Sequence, residues 1–153
     1  DIGPFGVITL VLVLLTQLAA LDQLLAVHPQ GPSAVALIGA AVVSRAAMAF
    51  TCRKGVPAAT PDGLGAQAAE CLSSHLAVVV AAGSLALVTG AAALSATDVV
   101  TPVAISATLA LVVAEIWRRH CSGRFGGVTG DVLGSVEQVA FTAFLVWLVL
   151  LLP

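Results

Sequence analysis

The sequence has little charge and few aromatic residues: of its 153 residues, 9% are charged, 5% are aromatic, and tyrosine is absent. Soluble domains carry about 25% charged residues, so this chain lacks the polar surface that would cover a water-soluble globule. The formal net charge of −2 gives no basic surface that would indicate a nucleic-acid partner. Hydrophobic residues make up 59% of the chain, and this excess predicts an integral membrane protein.

Cysteine is scarce as well, with three residues in the chain. An odd number argues against a closed disulfide framework. We therefore expect Cys52, Cys71 and Cys121 to be free thiols near one membrane face. The histidines are not spaced from these cysteines in a compact zinc motif, so no zinc site is expected.

Five stretches reach the roughly 20 mostly apolar residues that a membrane-spanning helix needs. Segments rich in turn-forming residues separate them, including "HPQGPS", "RKGVPAATPDGLG" and "SATD". The pattern predicts an all-α fold, a polytopic helical bundle that forms a single transmembrane domain over residues 1–153, with a short helix in the loop after the second span. The predicted spans are Phe5–Val27, Ser33–Thr51, His75–Leu94, Thr101–Trp117 and Asp131–Leu152.

Basic residues lie on alternate loops of this predicted bundle. Arg53 and Lys54 follow the second span, and Arg118, Arg119 and Arg124 follow the fourth, whereas the loops after the first and third spans contain neither Lys nor Arg. The positive-inside rule places such basic loops in the cytoplasm. We expect a protein of the bacterial cytoplasmic membrane with a cytoplasmic N-terminus and active face, and with its C-terminus on the opposite side.

Small residues at four-residue spacing recur in three of the predicted spans. Such residues let helix backbones approach closely in lipid, so they predict tight packing within the bundle or in a homo-oligomer. The three ladders are Ala36, Ala40 and Ser44; Ala82, Ala86 and Gly90; and Gly130 with Gly134.

Two ionisable residues lie well inside predicted spans. At a rise of about 1.5 Å per residue, Arg45 lies roughly 12 Å from the basic end of the second span, and Glu137 roughly 9 Å into the fifth. A lone charge at the bilayer centre costs roughly 2.5–3.5 kcal/mol, so each should face the bundle interior or a polar cavity. Their similar depth allows an ion pair; alternatively, Arg45 contacts an anionic ligand.

The stretch "GGVTGD" opens the fifth span with flexible and polar residues. Glycines let the backbone approach a ligand closely, and the N–H groups of a helix N-terminus attract phosphate or carboxylate. Asp131 suits either a helix cap or a ligand of a divalent metal beside bound phosphates. The loop "PDGLGA", with Lys54 before it, repeats this combination of acid and glycines.

These motifs resemble those of the cobalamin synthase family, whose members are also named adenosylcobinamide-GDP ribazoletransferases. "GGVTGDVLGS" resembles the family's C-terminal signature G-G-x-T-G-D-x-L-G-A, and only Ser135 departs from it. "SRAAM", "KGVPAATPDGLGA" and "DIGPFGVITLVLVLL" resemble further family segments in the same order along nearly the whole chain. The family's acid-rich N-terminal motif has no counterpart here, so the resemblance predicts the C-terminal part of a longer membrane enzyme.

The resemblance implies a magnesium-dependent transferase of late vitamin B12 synthesis, which joins adenosylcobinamide-GDP to α-ribazole or its 5′-phosphate and releases GMP. By position, Asp131 and Arg45 would be catalytic, and Asp131 with Glu137 would bind Mg²⁺. The residues expected to contact substrate are Gly126, Gly127, Thr129, Gly130, Asp62, Gly63, Gly65 and Lys54.

Two other classes of function are compatible with a membrane bundle of this kind. A CDP-alcohol phosphotransferase would carry a D-G-x-x-A-R pattern, of which "DGLGAQ" shares only the opening. A non-enzymatic transporter or structural subunit could use the intramembrane Arg and Glu as an ion path, but the sequence shows no inverted repeat.

Overall fold

The computed structural model describes residues 4–27 and 32–152. Five of its helices are long and apolar enough to cross a membrane, which confirms the predicted all-α polytopic bundle. A short helix of five residues, α3, lies in the loop after the second span, as predicted. The helices are α1 (Pro4–Val27), α2 (Pro32–Thr51), α3 (Leu64–Ala68), α4 (Ser74–Ser95), α5 (Val100–Phe125) and α6 (Gly130–Leu151), with a 3₁₀ turn at Thr97–Val99 before α5.

The largest departure from the predicted boundaries is the end of α5, which was expected at Trp117 and lies at Phe125. The charged residues after Trp117 are helical because Arg118 and Arg119 reach back along the helix to Glu115, at spacings where opposite charges stabilise a helix. Gly126, with a left-handed φ of 78°, then ends the helix in the usual way.

Helix α6 is at the centre of the bundle and packs against α1, α2 and α5. Phe144, Leu145 and Leu148 of α6 are fully buried in the larger of two hydrophobic clusters. Gly39 of α2 allows this packing, because a Cβ atom there would lie 2.9 Å from the Phe144 ring. Close approach of α2 and α6 therefore depends on a residue without a side chain.

The three small-residue ladders have different surroundings. Ala36, Ala40 and Ser44 are all buried within the bundle, as predicted. Ala82, Ala86 and Gly90 of α4 are exposed in the single chain, because α4 packs through Ala77, Val88 and Ala92 instead. For this ladder, the predicted alternative of packing in a homo-oligomer stays a prediction. Gly130 contacts Leu64, whereas Gly134 faces open space.

Helix α1 packs against the bundle only in its second half. Its residues from Pro4 to Thr16 are exposed, apart from the half-buried Val13. Packing begins at Gln17, whose amide nitrogen Nε2 donates hydrogen bonds to Oε1 of Gln138 (3.0 Å) and Oγ1 of Thr142 (2.8 Å). This polar contact between α1 and α6 was not predicted from the sequence.

The segment joining α2 to α4 and the segment joining α5 to α6 lie at one end of the bundle, which we call the loop end. Backbone hydrogen bonds connect the two segments there. Lys54 and Arg124 therefore emerge at the same end, as the distribution of basic residues predicted.

Candidate functional site

The loop from Cys52 to Ser73 is closed at its base by backbone pairing. The Leu72 N–H donates to the Cys52 carbonyl (3.1 Å), and the Lys54 N–H donates to the Leu72 carbonyl (2.8 Å). Glu70 adds a third tie, because its carboxylate accepts from the Gly55 N–H at 2.9 Å. Hydrogen bonds within the loop thus join its two ends, independently of its contacts with other parts of the chain.

A second pairing joins this loop to the α5–α6 segment, and we call the contact between Pro57–Ala59 and Gly127–Thr129 the loop junction. The Val128 N–H donates to the Pro57 carbonyl (2.9 Å), and the Ala59 N–H donates to the Val128 carbonyl (3.0 Å). The two glycine-containing segments of the sequence are therefore held side by side by main-chain hydrogen bonds.

Two glycines make the loop junction sterically feasible. A Cβ atom on Gly127 would lie 2.5 Å from the Ala58 carbonyl carbon, and one on Gly65 would lie 2.5 Å from the Val128 oxygen. Both contacts are with backbone atoms, which cannot move away by a change of rotamer as a flexible side chain can. We predicted both glycines as substrate contacts, and the structure shows that each is needed for one loop to pack on the other.

Thr129, rather than Asp131, caps helix α6. Its hydroxyl oxygen accepts a hydrogen bond from the Val132 N–H at 3.2 Å, which is the usual capping arrangement. The alternative prediction of Asp131 as the cap is wrong because the helix begins at Gly130 and Asp131 already lies in its first turn. A carboxylate in the first turn is still stabilised by the helix dipole.

The carboxylate of Asp131 is exposed and has no hydrogen bond or ion pair to the described residues. Asp62 and Gly63 of the neighbouring loop are exposed as well. Leu64 packs on Gly130, and Gly65 on Thr129. The structure therefore brings the "PDGLGA" and "GGVTGD" motifs to one surface, where neither the Asp62 nor the Asp131 carboxylate has a partner among the described residues.

Lys54 and Gly126 occupy less central places. Lys54 is exposed, and its described contacts are with Leu72 and Ser74 at the base of its loop. Gly126 is the exposed left-handed residue that ends α5. Neither has a described contact with Asp131, so their predicted contact with substrate stays a prediction.

Arg45 and Glu137 form an ion pair between α2 and α6, with 3.2 Å between Nη2 and Oε1. The ion pair was one of the two alternatives drawn from the sequence. The Arg45 side chain is nevertheless 65% exposed, so one contact with Glu137 leaves most of the guanidinium uncovered. The second alternative, contact with an anionic ligand, is compatible with this geometry.

Asp131 and Glu137 were the predicted ligands of Mg²⁺. Mg²⁺ sites commonly combine one or two carboxylates with substrate phosphates, and an exposed carboxylate at a helix N-terminus fits that role. Glu137 lies about 9 Å further along α6 and pairs with Arg45, so the structure does not bring it together with Asp131. The described residues contain no group of three or more His, Cys, Asp or Glu side chains placed to hold a metal.

A cluster around Glu115 was missed in the sequence. Its carboxylate accepts hydrogen bonds from Arg53, Arg118 and Arg119, with the shortest distance to each at 2.8 Å. Arg53 also lies over the Phe50 ring and donates to the Phe50 carbonyl. The cluster fastens the end of α2 to α5 and so fixes where the Cys52–Ser73 loop begins. The sequence did carry a signal for this cluster, because Arg118 and Arg119 follow Glu115 by three and four residues, the spacing at which opposite charges pair on a helix.

Ser135, the residue that departs from the family signature, forms its own link between helices. Its hydroxyl accepts from the Trp117 indole N–H at 3.0 Å and donates to the Val132 carbonyl at 2.9 Å. An alanine at this position could make neither bond. The hydrogen bond between Ser135 and Trp117 therefore joins α6 to α5 in this chain.

The cysteines are free thiols, as predicted. Burial, together with a smaller effect of the adjacent Cys71 thiol, raises the pKa of Cys52 to about 11. Cys52 is therefore protonated at neutral pH and is a poor nucleophile.

Comparison with known proteins places the chain in a family. A family model described as cobalamin-5-phosphate synthase matches residues 1–149. An adenosylcobinamide-GDP ribazoletransferase of Frankia casuarinae is 32% identical, with 99% of this chain and 55% of the relative covered. Relatives with the same name from a Nocardioides species and from Azorhizobium caulinodans are 38% and 39% identical, each with 94% of this chain and with 50% and 53% of the relative covered.

The chain spans about half the length of these curated relatives. No solved structure matches it. The match of the family model extends over nearly every residue, including both motifs that meet at the loop junction. The chain belongs to the cobalamin-5-phosphate synthase family.

Proposed function

We propose that this chain is the part of an adenosylcobinamide-GDP ribazoletransferase that carries the loop junction, and that the whole protein joins adenosylcobinamide-GDP to α-ribazole or its 5′-phosphate. Family membership and the names of the relatives support this reaction class. In the reaction a ribose hydroxyl attacks the phosphate bonded to cobinamide. A new P–O bond forms, the bond to GMP breaks, and the hydroxyl proton passes to a base.

The observation that carries the proposal is the exposed, unpaired Asp131 at the N-terminus of α6, beside the second glycine-rich loop. Phosphoryl transfer depends mainly on positioning and on neutralising phosphate charge. The N–H groups in the first turn of α6 offer a partial positive charge to a phosphate. Mg²⁺ bound at Asp131 would supply further positive charge to the same oxygens.

Arg45 is proposed as a second anion contact. It lies six residues before the end of α2, about 9 Å along the helix, and its guanidinium is largely uncovered. An arginine at such a depth in a span needs polar surroundings. A phosphate of the substrate, reaching inward from the loop end, would supply them.

The proposed location is the bacterial cytoplasmic membrane, with the loop end facing the cytoplasm. Lys54 and Arg124 lie at that end, and basic residues favour the cytoplasmic side. Both nucleotide-containing substrates would then reach the loop junction from the compartment that holds them.

The test is release of GMP by the full-length gene product incubated with adenosylcobinamide-GDP, α-ribazole 5′-phosphate and Mg²⁺. Asp131→Asn should lower the rate by about hundredfold or more, the scale of losing one catalytic proton-transfer or charge-stabilising group. Asp22→Asn is the matched control, because Asp22 is an exposed acid on α1. CMP release from a CDP-alcohol with no GMP release, or full activity in Asp131→Asn, would contradict the proposal.

A further inference from the structure

A groove of about 460 Å³ lies on the side of the bundle, away from the loop junction. Helices α4 and α5 form its walls and α2 forms its floor, through residues such as Ala47, Ala81, Leu85, Leu111 and Val112. Thr108 and Arg119 mark its extent along α5, a distance of about 16 Å. The groove is therefore long and mostly apolar.

The groove opens toward the bilayer rather than toward water. Val112 and Ile116 line it and are also exposed on the outer surface of α5. Both belong to an apolar helix long enough to cross the membrane. The natural solvent at its mouth is hydrocarbon, and an acyl chain matches its length and lining.

The end of the groove nearest the loop end is positively charged. Glu115 and Arg119 line it there, and the Glu115 carboxylate is shared by three guanidinium groups, which leaves a formal excess of two positive charges. Arg53 and Arg118 are largely buried, whereas the Arg119 side chain is 72% exposed. Only its Nε atom is used within the described residues, so its terminal N–H groups can bind an anion.

We propose that this groove binds an anionic phospholipid, with one acyl chain along α4 and α5 and the phosphodiester on Arg119. Basic pockets between transmembrane helices near the cytoplasmic surface bind anionic lipid head groups. Charge complementarity selects an anionic lipid over a zwitterionic one, and the apolar length selects a lipid over free phosphate. The inference does not depend on the transferase reaction.

The test is native mass spectrometry of the full-length gene product in mild detergent, with dioleoyl phosphatidylglycerol or dioleoyl phosphatidylcholine added. One phosphatidylglycerol should be retained at least about fivefold more than phosphatidylcholine, the effect of roughly one basic residue on an anionic lipid. Arg119→Gln should remove this preference. Arg124→Gln is the matched control, because Arg124 is an exposed arginine of the same helix that does not line the groove.

A second pair of variants tests the apolar part of the groove without changing charge. Ala81→Trp should fill the groove and reduce retention of both lipids, whereas Val79→Trp, on an exposed face of α4 outside the groove, should not. Equal retention of the two lipids by the unmodified protein would overturn the proposal. So would equal losses in Arg119→Gln and Arg124→Gln, unchanged retention of both lipids in Ala81→Trp, or displacement of the lipid by millimolar inorganic phosphate alone.

Discussion

Two polar regions lie at the loop end of this bundle, and they differ in how completely their charges are paired. Around Glu115, three arginines occupy both carboxylate oxygens, and the carboxylate is only 18% exposed. Next to the loop junction, Asp131 is exposed and has no partner among the described residues. The first region has its charged groups tied to one another, and the second has a carboxylate left open.

The difference distinguishes charged groups that stabilise the fold from charged groups that are free to bind a ligand. A buried charge that lost its partner would be strongly unfavourable, so the Glu115 cluster must form whenever the helices pack. An exposed carboxylate at a helix N-terminus carries no such requirement. Variants in the two regions should therefore divide between effects on stability and effects on activity.

The largest effect on stability should come from Glu115→Gln. The substitution leaves the buried Arg53 and Arg118 without a counter-charge, which typically costs about 3–5 kcal/mol. Thermal unfolding in detergent would measure the loss. If Glu115→Gln unfolded at the same temperature as the unmodified protein, the cluster would not be what fastens α2 to α5.

Gly127→Ala should be the next most damaging change. The added Cβ would lie 2.5 Å from the backbone of Ala58, and forcing an extra methyl group into a packed site costs about 1–3 kcal/mol. Because the strain falls on the loop junction, GMP release should fall as well. Gly123→Ala is the control, since a Cβ there meets nothing within 4 Å and should leave activity intact.

Thr129→Ala and Ser73→Ala compare two caps of the same geometry. Each hydroxyl accepts one N–H at 3.2 Å, Thr129 at the start of α6 and Ser73 at the start of α4. Each substitution should cost about 1 kcal/mol of stability. Only Thr129→Ala should also lower GMP release, because only that cap adjoins Asp131; equal losses of activity would contradict its place in the site.

The smallest effect on stability should come from Glu137→Gln. Its ion pair rests on one 3.2 Å contact with a largely exposed arginine. Because Arg45 is proposed to face a polar surface that accepts phosphate rather than lipid, the pair should contribute the roughly 0–1 kcal/mol that is typical of water-exposed pairs, a low value among ion pairs. The unfolding temperature should therefore hardly change, while the KM for adenosylcobinamide-GDP shifts if Arg45 binds its phosphates. A drop in stability as large as that of Glu115→Gln would mean that the Arg45–Glu137 pair stabilises the fold, as the Glu115 cluster does.

The membrane spans could be predicted because the bilayer imposes a minimum apolar length that hydropathy records directly. The end of α5 could not, since its last two turns are charged and their helical state depends on bonds from Arg118 and Arg119 to Glu115. Hydropathy does not detect such local pairing, although the residue spacing does.

The candidate site was located by its motifs, but its construction was not foreseen. Asp131 and the glycines around it stood out as polar residues at the head of an apolar span. That Gly65 and Gly127 serve the packing of two loops depends on contacts between residues distant in the chain, and a single sequence carries no signal for these. The choice between Thr129 and Asp131 as cap turned on a two-residue difference in where α6 begins.

The loop junction also has a consequence for biogenesis. Ala58 and Val128 are 70 positions apart in the chain, and at about 5–20 residues per second a ribosome needs roughly 4–14 s to make that length. Throughout that interval the shape of the earlier loop depends on its internal hydrogen bonds, between Leu72 and both Cys52 and Lys54 and between Gly55 and Glu70. The hydrogen bonds within this loop would thus keep its conformation until the second half of the nascent chain has entered the membrane.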